Sequence, residues 1–279
     1  MTTRRRAAAL VITSVLCLEA LAASGQSKYV DVHYLSDGLR IQAYLYKPDG
    51  AGPFPAVIYN HGSRAGRERR PVPFEYIGEF LNPAGYVVLV SERRGYGNSD
   101  GPTWPEDVGN NRGRFVARLQ RETDDVLAAV DYLRTLPFVD ARRIGIMGWS
   151  FGGIVTMFAV SRSIAFGAAV NQAGGALTWN DNAGVRNALV AAAEKTTTPT
   201  LLLVAENDRT TDSITTLDEI FGKRGVEHRT VIYRPFVSHE RGFASAAPGH
   251  QVFSAQGVSV WRRDVLDFFA RYLRGAASG

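Results

Sequence analysis

Cysteine is nearly absent: Cys17 is the only one in 279 residues. It lies in an N-terminal stretch that reads as a removable export signal, so the mature chain is expected to carry none. That excludes disulfides, a thiolate nucleophile and a cysteine-ligated metal. No metal-ligand spacing of His, Asp or Glu is visible either, and neither a metal nor an organic cofactor is expected. Charge of one sign is also scarce. The formal net charge of +5 falls to +3 once the three arginines and one glutamate of the leader are removed. So mild a balance argues against a nucleic-acid binder, which usually carries a concentrated basic face. Internal repeats and Pro/Ser/Gly-rich linkers are missing as well. With 45% hydrophobic and 21% charged residues, the chain suits one soluble α/β domain able to bury a sizeable core.

The leader is set apart by its order. Arg4-Arg5-Arg6 is followed by an apolar run from Ala7 to Leu18, then by Ala20-Leu21-Ala22, an A-x-A cleavage pattern. The run is shorter than the roughly 20 apolar residues needed to span a bilayer, and Glu19 interrupts it. Residues 1–23 are therefore expected to be a signal peptide and residues 24–279 the catalytic domain. The protein is expected to be secreted or periplasmic, with no membrane attachment after cleavage.

Tyr29 to Leu35 and Leu39 to Tyr46 alternate apolar and polar residues around Ser-Asp-Gly, a hairpin signal. Solid apolar runs follow at 55–60 (PAVIYN), 86–90 (YVVLV), 143–147 (RIGIM), 166–170, 200–205 (TLLLVA) and 229–233 (RTVIY). Such runs mark strands covered on both faces. Helical patterns separate them at 74–81, 121–136, 152–160, 185–195, 211–224 and 260–273. The alternation predicts an α/β fold with about eight strands, mostly parallel, and helices on both faces.

Ligand sites on such sheets gather at the carboxyl ends of the strands. There the sequence places Gly148-Trp149-Ser150-Phe151-Gly152, between a strand and a helix. A serine hydroxyl needs a histidine base to become nucleophilic, and the base needs a carboxylate to hold its tautomer. G-x-S-x-G at a strand-to-helix turn holds the serine up, and the helix N-terminus offers N–H groups to a developing oxyanion. Ser150 is the candidate nucleophile. Asp208, just past the strand at 200–205, is the candidate acid, with Glu206 as its competitor. His239 and His250 both follow the last strand, and either can serve as base by position. Arg94-Gly95-Tyr96-Gly97-Asn98-Ser99 lacks the Gly-Lys-Ser/Thr ending of a triphosphate loop and reads as a tight structural loop.

The chain resembles the α/β-hydrolase superfamily, in particular its dienelactone-hydrolase-like and prolyl-oligopeptidase-like branches. The matching pieces are NHGS at 60–63, ERRGYGNSDG at 92–101, VDARRIGIMGWSFGG at 139–153, LLLVAENDRTT at 201–211 and GHQVF at 249–253. The resemblance implies the α/β-hydrolase fold and a Ser150-Asp208-His250 triad, because the Gly-His pattern before the last helix falls on His250. It also assigns the oxyanion N–H groups to Phe151 and to Ser63 in the loop after the third strand, with Gly62 next in line. Dienelactone hydrolases proper carry cysteine where Ser150 stands. The activity implied is therefore that of a serine esterase acting on small soluble carboxylic esters.

Tyr96, Trp149 and Trp179, with Phe151, are the aromatic candidates for the substrate pocket. The arginines at 64, 67, 69 and 70, and those at 112, 114 and 118, suggest a preference for anionic substrates. The segment 176–195 is too short for a bulky lid. A serine peptidase of the prolyl-oligopeptidase type and a non-catalytic binding protein on the same fold are the alternatives. No feature of the sequence specifies an oligomeric state.

Overall fold

The computed structural model describes residues 28–238 and 247–274. The leader and His239 lie outside the described residues. Strands β1 (Val30–Ser36) and β2 (Leu39–Tyr46) form a hairpin whose two turn residues, Asp37 and Gly38, both have positive φ, 48° and 76°. A two-residue turn of that kind matches the right-handed strand twist, which is why Asp-Gly is selected there. The chain continues through β3 (Phe54–Asn60), α1 (Glu75–Leu81), β4 (Val87–Glu92), α2 (Trp104–Asp107), α3 (Phe115–Arg134), β5 (Val139–Trp149), α4 (Phe151–Arg162) and β6 (Phe166–Gln172). It ends with α5 (Ala183–Ala193), β7 (Thr200–Ala205), α6 (Asp212–Arg224), β8 (His228–Tyr233) and α7 (Val258–Phe269).

The eight strands form one sheet in the order β1-β2-β4-β3-β5-β6-β7-β8. β1 and β2 are antiparallel to their neighbours, and the remaining pairs are parallel. Val57, Ile58, Leu89, Val90, Ile146, Leu202 and Leu203 are fully buried, as expected for strands with helices over both faces. From β3 the chain steps one way to β4, then crosses back over β3 to β5. That reversal opens a crevice at the carboxyl ends of β3 and β5, where Asn60 pairs with Gly148. His61 and Ser150 are the first residues beyond the ends of those two strands.

Several boundaries differ from the sequence expectation. α3 begins at Phe115, six residues before Arg121, and a short helix over Trp104–Asp107 precedes it. A reciprocal capping box between Thr103 and Glu106 explains that helix.

Candidate active site

Ser150 sits at the top of β5 with φ 59° and ψ −119°, a region that non-glycine residues rarely occupy. Such a conformation costs about 1–3 kcal/mol and survives only where the surroundings enforce it. Here they do. A methyl group on Gly148 would collide with the Gly152 carbonyl, and one on Gly152 with the backbone of Asn60 and His61. Small residues on both sides of the serine thus let α4 approach β3 and β5 closely. Ser150 N–H donates to Gln172 O at 2.9 Å, fixing the turn against β6. Phe151 is the first residue of α4, so its N–H lies among the helix donors without an intrahelical acceptor.

Asp208 and His250 meet in the structure. His250 Nδ1 lies 2.8 Å from Asp208 Oδ2, and both side chains are almost wholly buried. A carboxylate only accepts, so the ring proton sits on Nδ1 and the lone pair on Nε2. Asp208 Oδ1 accepts from Arg209 N–H at 2.7 Å. Gly249 makes the approach possible: its N–H donates to Asn207 O at 3.1 Å, and a Cβ there would be 2.6 Å from Asp208 N. His250 Nε2 is buried and has no hydrogen-bond partner among the described residues, so it is not bonded to Ser150 here. Nucleophile–base bonds are often loose without substrate and tighten in the complex. The Trp149 ring, one residue before the serine, lies 5.6 Å from the His250 ring.

The loop after β3 closes the opposite side. A Cβ on Gly62 would lie 3.1 Å from Ser150 Cβ and 3.8 Å from its Oγ, so Gly62 rests directly against the serine. Ser63 follows it and is exposed. His61 is fully buried, stacked on Phe74 at 5.6 Å and edge-on to Tyr96 at 4.5 Å. Burial, then the Arg93 and Arg64 guanidiniums, hold its imidazole well below the usual range, so it is neutral. Its carbonyl accepts from Arg93 Nη2 at 2.8 Å.

Arg93 belongs to a buried ionic cluster that sequence patterning did not reveal. Its Nε donates to Glu122 Oε2 at 2.7 Å. Glu122 Oε1 accepts from Arg118 Nε at 3.0 Å and from Trp104 Nε1 at 2.7 Å. Burial pushes the Glu122 carboxyl up, but Arg93 and Arg118 outweigh it and hold the group below its usual range. Beside it, burial pushes Glu92 up against its pairing with Arg64.

These pairings qualify one expectation, and burial corrects another. Arg64 is held by Glu92, Arg69 by the Ser99 and Gly101 carbonyls at 2.7 Å, and Arg114 and Arg118 by Asp107. Arg112 donates to Asp181 O at 3.3 Å. Arg64, Arg114 and Arg118 are thus paired with the protein's own carboxylates, whereas Arg69 and Arg112 bond to neutral carbonyls and keep their charge. Tyr96 and Trp179 do not line an open pocket: Tyr96 is fully buried beneath Arg64 and Arg93, and Trp179 packs in the core. Trp149 and Phe151 remain half-buried at the crevice. Phe151 forms an apolar wall with Trp104 at 4.8 Å and Phe115, neither of which a pocket reading of the sequence had singled out. The signal was available only through spacing: both lie in the segment between β4 and the body of α3.

The loop at 93–99 is a tight turn. The Gly95, Tyr96, Gly97 and Ser99 N–H groups donate to Asp100, Arg93, Glu68 and Tyr96 carbonyls, and Asn98 N–H to Gln42 Oε1. They are not offered to a phosphate.

Comparison with solved structures decides the fold. Pyrococcus horikoshii acylaminoacyl peptidase superposes with a TM-score of 0.66 at 20% identity, over 90% of this chain and 42% of that one. An esterase from Pyrococcus furiosus superposes with a TM-score of 0.62 at 17% identity, over 88% of this chain and 91% of that one. The chain has the α/β-hydrolase fold. Within this α/β hydrolase fold, a model of the prolyl oligopeptidase family matches residues 74–181. The quorum-quenching protein AidA of Acinetobacter baumannii is 31% identical over 44% of this chain and 36% of its own length. The chain thus spans about a third of that curated relative.

Proposed function

We propose that the protein is a serine hydrolase that cleaves carboxylic esters of small molecules through an acyl-enzyme. The observation that carries this reading is the conjunction at the β3/β5 crevice. A serine in a forced positive-φ turn tops β5, and a histidine whose ring is fixed by a buried carboxylate at 2.8 Å packs against Trp149, the residue before that serine.

In the proposed reaction, Ser150 Oγ attacks the ester carbonyl and passes its proton to His250 Nε2. Asp208 holds the imidazole in the required tautomer and stabilises the imidazolium. The oxyanion of the tetrahedral intermediate accepts from the Phe151 and Ser63 N–H groups. Collapse expels the alcohol, which takes the proton from His250. Water, deprotonated by His250, then releases the acid and restores Ser150. Among the described residues no group of three His, Cys, Asp or Glu side chains is placed to hold a metal.

A peptidase is the second reading, supported by the prolyl oligopeptidase family match. Ester chemistry is supported by the esterase likeness, which extends over 91% of that chain. Turnover of an acyl ester beside the matching acyl anilide separates the two. The ester reading expects kcat/KM for the ester to exceed that for the anilide by at least a hundredfold. Near-equal values, or cleavage of peptides alone, refute it. Export is proposed from the leader, which lies outside the described residues. A mature N-terminus near Ser24 in an extracellular or periplasmic fraction tests it, and an intact Met1 in the cytoplasm refutes it.

A further inference from the structure

A wide-mouthed, shallow cavity of about 470 Å³ lies between the N-terminal end of α1 and the turn at Pro248–Phe253. Its volume falls in the range of small-molecule pockets. Its walls include Phe74, Tyr76, Trp149, Gln251 and Ala255. Two chain neighbours and one ring contact tie it to the crevice. Trp149 precedes Ser150, Gln251 follows His250, and Phe74 stacks on His61, next to Gly62. The walls are mostly apolar or aromatic, and among the described residues the only charged one lining it is Glu75, which is exposed.

The direction of the chemistry decides which part of a substrate goes there. The departing oxygen must take a proton from His250 Nε2, so the leaving group lies on the histidine side of Ser150. This cavity is on that side, since the Trp149 ring packs 5.6 Å from the His250 ring. The Phe151–Trp104–Phe115 wall remains for the acyl group. Building on the serine-hydrolase reading, we propose that this cavity binds the alcohol portion of the ester, selecting an uncharged ring-sized apolar group and rejecting an anionic one. Burial of a ring against Trp149, Phe74 and Tyr76 provides the attraction. The Glu75 carboxylate on the wall, the one acidic lining residue among the described residues, provides the repulsion even though Lys28 also feels its charge.

The test uses acetate esters that share one acyl group: methyl, benzyl, 4-carboxybenzyl and 4-(aminomethyl)benzyl acetate. Wild type is expected to give a kcat/KM for benzyl at least tenfold above methyl, and for 4-carboxybenzyl at least tenfold below benzyl. Ala255→Trp, which fills the cavity from an exposed position, is expected to cut the benzyl-to-methyl ratio at least tenfold. Glu75→Gln is expected to narrow the benzyl-to-carboxybenzyl ratio at low salt. Turnover of the esters with ratios near one, or ratios that neither substitution moves, overturns this proposal alone. No turnover of any ester, with no fluorophosphonate labelling of Ser150, overturns the hydrolase reading and this one together.

Discussion

Replacing Arg93 with methionine tests how the oxyanion loop is held. Arg93 is fully buried and makes two links: Nε to Glu122 at 2.7 Å and Nη2 to the His61 carbonyl at 2.8 Å. Methionine keeps much of the volume and removes both. Glu122 then keeps Arg118 and Trp104 but loses one of two cations. Removing one partner of a buried pair costs about 3–5 kcal/mol, because the other charge stays buried. A large domain loses about 2–4 °C of Tm per kcal/mol, so Arg93→Met should lower Tm by roughly 10 °C while leaving the protein folded at 25 °C. Activity should fall separately. The His61 carbonyl loses its clamp, and the following Gly62 rests against Ser150. A misplaced oxyanion donor costs about 100-fold in kcat. Arg93→Met/Glu122→Gln removes the buried carboxylate that is left with one cation instead of two and should regain part of the Tm, but not the kcat. Calorimetry and steady-state kinetics on both variants read the two effects. A double variant that regains kcat along with Tm, or a single variant with normal kcat, would refute the positioning role.

The two glycines around the nucleophile should part company. Gly62→Ala puts its Cβ 3.1 Å from Ser150 Cβ at a permitted φ, so near-normal Tm with kcat reduced about 10- to 100-fold is expected. Gly152→Ala meets the Asn60 backbone and should give little folded protein, read by circular dichroism. Asp208→Asn presents an amide to His250 Nδ1 and should reduce kcat by about 10⁴-fold with a small change in Tm. The depressed His61 pKa means that the unfolded chain binds the proton first. Stability is therefore whole above the usual 6.5 and is lost as pH falls below it, toward the folded value. That loss approaches about 1.4 kcal/mol per pH unit. Comparing Tm of His61→Phe with wild type from pH 7 to pH 5 isolates it, and parallel curves would contradict the assignment.

Much of the sheet was legible because its strands are short apolar runs between turn signals, and the Asp37-Gly38 turn followed from its residues. The order was less so. That β2 pairs with β4 and that β3 lies between β4 and β5 depends on crossovers that no local pattern records. At the candidate site, the tight turn at Ser150 was visible in spacing, because small residues must flank a serine forced to φ 59°. The aromatics were not. Tyr96 and Trp179 are buried, whereas Phe74, Tyr76, Trp104 and Phe115 reach the crevice or its neighbouring cavity through tertiary packing. The arginine clusters were only partly legible for a related reason. Composition shows their charge, but only the fold shows Glu92 pairing with Arg64, and Asp107 and Glu122 with Arg118.

The central claim is that Ser150 is a nucleophile served by His250. Peptide mapping after treatment with a fluorophosphonate tests it most directly. The account predicts one adduct, on the peptide bearing Ser150, lost in Ser150→Ala and slowed at least a thousandfold in His250→Ala. Full ester turnover by Ser150→Ala, or an adduct on another residue, would contradict it.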